Sequence, residues 1–198
     1  MMQAAALLTA VVLLFAAPLL LVTGNDLTAA ETTIQVPELP RDLYGFLTGT
    51  VTNVSVDDAF LLTAESEQSG QFVFSIEAHT YVPVGFVPEV GSDLWCFYDM
   101  GAIMPAIYPP LYRAVAVLPV RDDAIAYLGV FNEEGISLDG TLLIKPDEEM
   151  RVQDVNGDAY TGDLANKLLL VTYSVSTRSI PAITTPESVI ILDQSIVE

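Results

Sequence analysis

Two stretches of the chain, "MPAIYPP" at Met104–Pro110 and "IPAITTP" at Ile180–Pro186, spell nearly the same proline-framed phrase. A short apolar run follows each, "RAVAVLPV" after the first and "ESVIILDQ" after the second. Such a repetition points to an internal duplication, which must be sought before any fold is assigned. The match extends upstream. "AYLGVF" corresponds to "YGFLTGTV", "TLLIKPDEEMRV" aligns with "QFVFSIEAHTYV", and "KLLLVTYS" aligns with "DLWCFYDM", with Tyr98 opposite Tyr173. Only small gaps are needed, as loops of different length produce. Proline fixes φ, lacks an N–H and holds its predecessor extended. The phrase therefore reads as a stiff crossover between two strands, kept out of ladder pairing, that loses less entropy on folding.

Within each unit the dominant period is two. In "GQFVFSIE", Phe72, Phe74 and Ile76 share one face, and Val73 among the polar residues of the other implies partial burial there too. "DLWCFYD" is an uninterrupted apolar run bounded by acids, so it reads as a central strand covered on both faces. "RAVAVLPV" ends at a proline, as a strand near an edge does. Turn signals at Val56–Asp58, Gln68–Gly70 and Glu89–Asp93 separate these runs. These features predict an all-β fold of two tandem small OB-like β-barrel domains, residues 43–120 and 121–198. The boundary falls near "PVRDD" at Pro119–Asp123, and the two domains are expected to pack through apolar strand edges.

Ahead of them, Ala4–Val22 is an apolar run without charge, Thr9 being its only polar member. It is long enough for a bilayer span and equally suits the core of a secretory signal peptide. "VTG" at Val22–Gly24 and "TAA" at Thr28–Ala30 are candidate cleavage sites, although no Lys or Arg precedes the run. Residues 1–24 are thus expected to be an apolar export helix, a signal peptide or membrane anchor, and 25–42, with Pro37 and Pro40, a linker. The protein is expected to be secreted or to sit at the extracytoplasmic cell surface.

The charge balance narrows the partners. With 7 Lys+Arg against 26 Asp+Glu, the formal net charge is -19. Nucleic acid is excluded as a partner, since phosphate backbones bind clustered Lys and Arg. Contact with a membrane is expected only through the N-terminal segment if it stays uncleaved. Cations and basic protein or envelope surfaces remain electrostatically allowed. One cysteine, Cys96, rules out an intrachain disulfide and reads as a buried thiol. The single histidine, His79, is a weak signal of a site. There is no Gly-x-Ser-x-Gly elbow, no phosphate-cradling glycine loop and no zinc spacing, so the chain is expected not to be an enzyme.

Two stretches remain as candidate sites. "YPPLY" sets Tyr108 and Tyr112 around Pro109 and Pro110. It reads either as a rigid aromatic platform for a ligand or partner or as cover for the end of the barrel. The second unit has "TTPES" there, so the shared fold does not demand the aromatics. In "QDVNGDAYTGD", Asp154, Asn156 and Asp158 alternate as the oxygens of a calcium loop do. Ala159 and Ala165 stand where an EF-hand wants Gly and Glu, and Asn-Gly between strands favours a tight hairpin turn. No cofactor is expected, with calcium as a weak alternative. The acids of "KPDEEMR", Asp147, Glu148 and Glu149, read as a solvated turn, and Arg178 as a partner for nearby carboxylates.

The second unit, "DGTLLIKPDEEMRVQDVNGDAYTGDLANKLLLVTYSVSTRSIPAITTPESVIIL" at Asp139–Leu192, resembles a region of secreted proteins of Firmicutes in the clostridial group. There, a similar stretch with "TRSIPA" and "TP" phrases often precedes a copper amine oxidase N-terminal-like, or stalk, domain. The first unit, with its "YPP", looks like the stretch just before it. The resemblance covers most of residues 44–192, contains nothing of the stalk module, and carries no assigned activity or catalytic residue. The export signal, the duplicated β architecture and the lack of a catalytic constellation point to a non-catalytic extracytoplasmic binding or structural module at a Gram-positive surface. The alternative is a wall protein stabilised by calcium at its acidic loops.

Overall fold

The two-residue alternation becomes strands throughout. A computed structural model describes residues 44–192 other than Asp57, Glu148 and Glu149; the leader and linker expected at 1–24 and 25–42 lie outside these. The described chain is all-β, in several sheets and without a helix. The first half contributes β1 (Tyr44–Ser55), β2 (Phe60–Ser66), β3 (Gly70–Ile76), β4 (Asp93–Asp99) and β5 (Leu111–Pro119). The second contributes β6 (Ile125–Phe131), β7 (Leu142–Ile144), β8 (Arg151–Asp154), β9 (Lys167–Tyr173), β10 (Ala182–Thr184) and β11 (Ser188–Leu192).

The first five strands close into a barrel in the order β1-β2-β3-β5-β4, with β4 returning to β1. All ladders are antiparallel except β3–β5, where Val73 sits opposite Leu111. β1 is long enough to pair β4 along Tyr44–Thr50 and β2 along Thr50–Ser55. Alternation fills the interior. Val51, Leu62, Phe72, Phe74, Leu94, Cys96 and Val117 form one buried cluster, with Phe72 and Phe74 edge to face at 5.6 Å.

The expectation of a second closed barrel over 121–198 is corrected. The described strands there form an open four-stranded sheet, β6-β9-β11-β8, and a separate parallel pair, β10-β7. Residues 132–141 join β6 to β7 without a strand, where the first half holds the β2 hairpin, and among the described residues no other strand pairs with β6 to close the sheet. A second correction concerns the proline phrases. Met104–Pro110 lies in the β4–β5 loop, as a crossover outside the ladders should. Its counterpart contains β10, whose Ala182 donates its N–H to Thr141 O at 2.8 Å and which runs parallel to β7. Proline removes only its own donor, so the residues between Pro181 and Pro186 remain free to pair. Each phrase also holds one cis peptide bond, before Pro109 and before Pro181. "RAVAVLPV" is no edge strand either: β5 lies between β3 and β4, with Pro119 at its last position.

The two halves share no sheet, yet they share a core. "KLLLVTY" of β9 is buried on both faces. Leu169, Val171 and Tyr173 turn to the interior of the second half, with Phe131, Leu142, Ile144, Val189 and Ile191. Leu168 and Leu170 turn the other way, with Leu128, Ile190 and Leu192, and meet Phe97, Val115 and Ala116 on the outside of the first-half barrel, where Trp95 also packs. Contact is therefore face to face, not through strand edges as expected. This explains the continuous apolar run of β4: Leu94 and Cys96 fill the barrel while Trp95 and Phe97 fill the junction.

Candidate functional site

β6 is one of the two terminal strands of the open sheet; its one ladder is with β9, and beyond that only its last residues are bridged, Phe131 to Ser137. Along an antiparallel strand, successive residues send their N–H and C=O to opposite sides. Val130 C=O faces outward, where it accepts the Leu138 N–H at 2.8 Å. By the same alternation Ala126 and Leu128 aim both backbone groups away from β9, and no hydrogen bond reaches them among the described residues.

This free edge borders a half-open groove of about 570 Å³. All of residues 125–130 line it. Tyr44, Phe46 and Phe97 form the wall from the first half, and Leu138, Asp139, Thr141 and Tyr173 complete it. Phe46 is 56% exposed, unusual for a phenylalanine, and is stacked on Phe97 at 5.8 Å. Ile125 and Leu138 are exposed beside it. No Lys or Arg lines the groove, and Asp139 is its one charged group.

One end of the groove is polar and rigid. Tyr127 Oη donates to Asp139 Oδ2 at 2.6 Å, Ser137 Oγ donates to Asp139 Oδ1 at 2.5 Å, and the Thr141 N–H donates to Oδ1 at 2.9 Å. Ser137 Oγ in turn accepts the Leu142 N–H at 2.9 Å. Gly129 makes room for this arrangement, since a Cβ there would stand 2.8 Å from Tyr127 Cε1. Burial pushes the Asp139 carboxyl up, but the bonds from Ser137, Tyr127 and Thr141 outweigh it and hold the group below its ordinary value. Burial first, and the bond to Asp139 second, carry the Tyr127 phenol well above its ordinary value. A carboxylate so fully donated to is held ionised and orders the loop around it.

The candidates from sequence separate on inspection. Tyr108 is 83% exposed on the β4–β5 loop, in a stretch that also exposes Ile103, Met104 and Ile107. Tyr112, two residues past Pro110, instead packs on Tyr98 at 4.4 Å and Phe74 at 5.5 Å, against the barrel core. Tyr108 and Tyr112 therefore do not form one aromatic platform: only Tyr108, beside the half-buried Pro109 and Pro110, faces solvent. Asp154, Asn156 and Asp158 do come together, as a tight turn. Asp154 Oδ1 accepts the N–H of Asn156 at 2.8 Å and of Asp158 at 3.0 Å, and Gly157 takes a φ of 87°. Those bonds draw the carboxylate inward onto the turn's own backbone. Among the described residues, no group of three or more His, Cys, Asp or Glu is placed to hold a metal ion.

Cys96 faces the barrel interior, and burial pushes its thiol up to about 12. His79 is half-exposed, with Nε2 3.6 Å from Glu77, whose carboxylate is gripped by both Arg113 Nε and Nη2. Asp147 accepts the Met150 N–H at 3.0 Å; Glu148 and Glu149 lie outside the described residues. The groove itself escaped the sequence reading. Its one cue is Phe46, an apolar residue in phase with Thr48 and Thr50 on the outward face of β1.

The chain matches no protein-family model, and no curated protein or solved structure matches it.

Proposed function

We propose that the chain is a non-catalytic, extracytoplasmic binding module of a Gram-positive cell surface, built from two copies of one OB-like unit and binding its partner in the groove at their junction. The observation that carries the binding reading is the groove: an uncharged apolar wall, an exposed Phe46 and a free strand edge in one concavity. Exposed apolar area of this kind marks interaction surfaces. The apolar segment Ala4–Val22 and the resemblance to secreted clostridial proteins support the extracytoplasmic placement.

The duplication is supported by register. Gly49 pairs Leu94, and the aligned Gly129 pairs Leu169. Phe97 pairs Ala116, and the aligned Thr172 pairs Ser188. Val73 pairs Leu111 in parallel, and the aligned Leu143 pairs Ile183 in parallel, which sets Ile183 against Leu111, four residues out of step with its place opposite Ile107 in the proline phrases. Tyr81 bridges Ala116 in parallel, and the aligned Arg151 pairs Ser188 in parallel. On this reading β10 and β11 are one strand, β5, broken at Thr185–Glu187, and the second copy has lost β2. The aligned Trp95 and Leu170 both lie in the junction, so the copies stand with equivalent outer faces together. The order β1-β2-β3-β5-β4 is that of a five-stranded Greek-key barrel of the OB kind.

Co-sedimentation of the full chain with isolated Gram-positive cell envelopes tests the function. Binding is expected, and Phe46→Glu and Leu138→Glu should each weaken it about tenfold or more by putting charge into the apolar wall. Unchanged binding by both variants would remove the groove from the reading, and no binding by the unaltered chain would remove the envelope.

A further inference from the structure

Building on the groove as the binding site, we propose that its occupant is an extended, basic peptide segment of a partner protein that adds as a strand to the free edge of β6. The outward N–H and C=O of Ala126 and Leu128 are the recognition groups. Leu128 is only 6% exposed, so its unpaired backbone groups carry a desolvation cost that a pairing strand relieves. Strand addition gives affinity through the main chain and specificity through every second side chain. An added strand would lie against the apolar wall of Phe46, Ile125 and Leu138.

Charge fixes the sign of the partner. Exposed acids bracket the strand: Asp122 and Asp123 precede β6, and Glu133 and Glu134 follow it. Arg121 engages Asp123 at 3.0 Å, which leaves Asp122, Glu133 and Glu134 to meet Lys or Arg at the ends of an added strand. The same bracket argues against a second copy of this chain. Antiparallel β6–β6 pairing would set Glu133 and Glu134 of one copy against Asp122 of the other, and both copies carry a net charge of -19.

The test titrates the ¹⁵N-labelled full chain with a synthetic peptide alternating lysine or threonine with valine and ending in lysine at both termini. A twin with glutamate for lysine and a twin N-methylated through its centre serve as comparisons. The basic peptide should shift the amides of Ala126, Leu128 and Val130. Each twin should bind about tenfold or more weakly, the methylated one because it lacks the N–H donors. Ala126→Pro removes an outward N–H and leaves the β6–β9 ladder intact, as proline is tolerated at an edge. It should lower peptide affinity by a similar factor with little change in melting temperature; if it fails to fold, the methylated twin decides alone. Equal binding of either twin, or shifts confined to amides outside β6 and the groove, would overturn strand addition. If the peptide does not bind while Phe46→Glu still weakens envelope binding, strand addition falls and the groove reading stands. If neither effect is seen, both fall.

Discussion

At the scale of single residues, the two tyrosines of "YPPLY" show how burial separates neighbours of one type. Tyr108→Ala should change stability by less than about 0.5 kcal/mol, as exposed substitutions do, because its ring stands in solvent. Tyr112→Ala should cost about 2–4 kcal/mol, since it removes a ring packed on Tyr98 and Phe74. Urea melts of both variants check this. Cys96 should resist iodoacetamide in the native protein and react once unfolded, because only the thiolate attacks and burial suppresses it. Asp139 gives a pH signature. Its folded pKa lies below the ordinary 3.8, so its contribution is complete above that value and is lost as pH falls through the lower, folded value. Acid melts of Asp139→Asn should lack that part of the decline. The apolar string around Cys96 already read as burying its thiol, whereas the separation of Tyr108 from Tyr112 and the bond of Asp139 to Tyr127 depend on neighbours from other strands.

At the scale of elements, β6 and β9 carry the argument. β9 is the middle layer between two cores, its apolar run buried on both faces. Leu170→Ala, at a fully buried position in the junction, should cost about 2–5 kcal/mol. Gly129→Ala should cost about 1–3 kcal/mol by crowding and should displace Tyr127 from Asp139, read as an altered Tyr127 ring resonance by NMR. The strands themselves were legible: "GQFVFSIE" and "DLWCFYD" became β3 and β4 with the faces expected. The status of an edge was not. "RAVAVLPV" looked like an edge and is central, because its C-terminal proline says nothing of the strands beside it. β6 looked like any other strand and is open, because what leaves it open is a hairpin absent from the loop after it.

For the whole molecule, the junction core, in which Leu168 and Leu170 pack on Phe97, Val115 and Ala116, should couple the two halves into one cooperative unit. Unfolding followed by Trp95 fluorescence and by far-UV circular dichroism should give coincident transitions, since Trp95 packs at the junction. Two separated transitions would show that the halves unfold independently. Leu170→Ala should move both probes together.

The sequence by itself determined that residues 44–192 are all-β, where several of the strands run, and how the β3 and β4 stretches divide between their faces. A period of two and a proline-framed repeat are local facts that survive any arrangement. Only the tertiary structure decided that the second half stays open, that the halves meet through their faces, and that Phe46, β6 and Asp139 enclose a groove. Those outcomes depend on which strand finds which neighbour across long separations, and side-chain alternation along one strand does not encode the identity of the strand beside it.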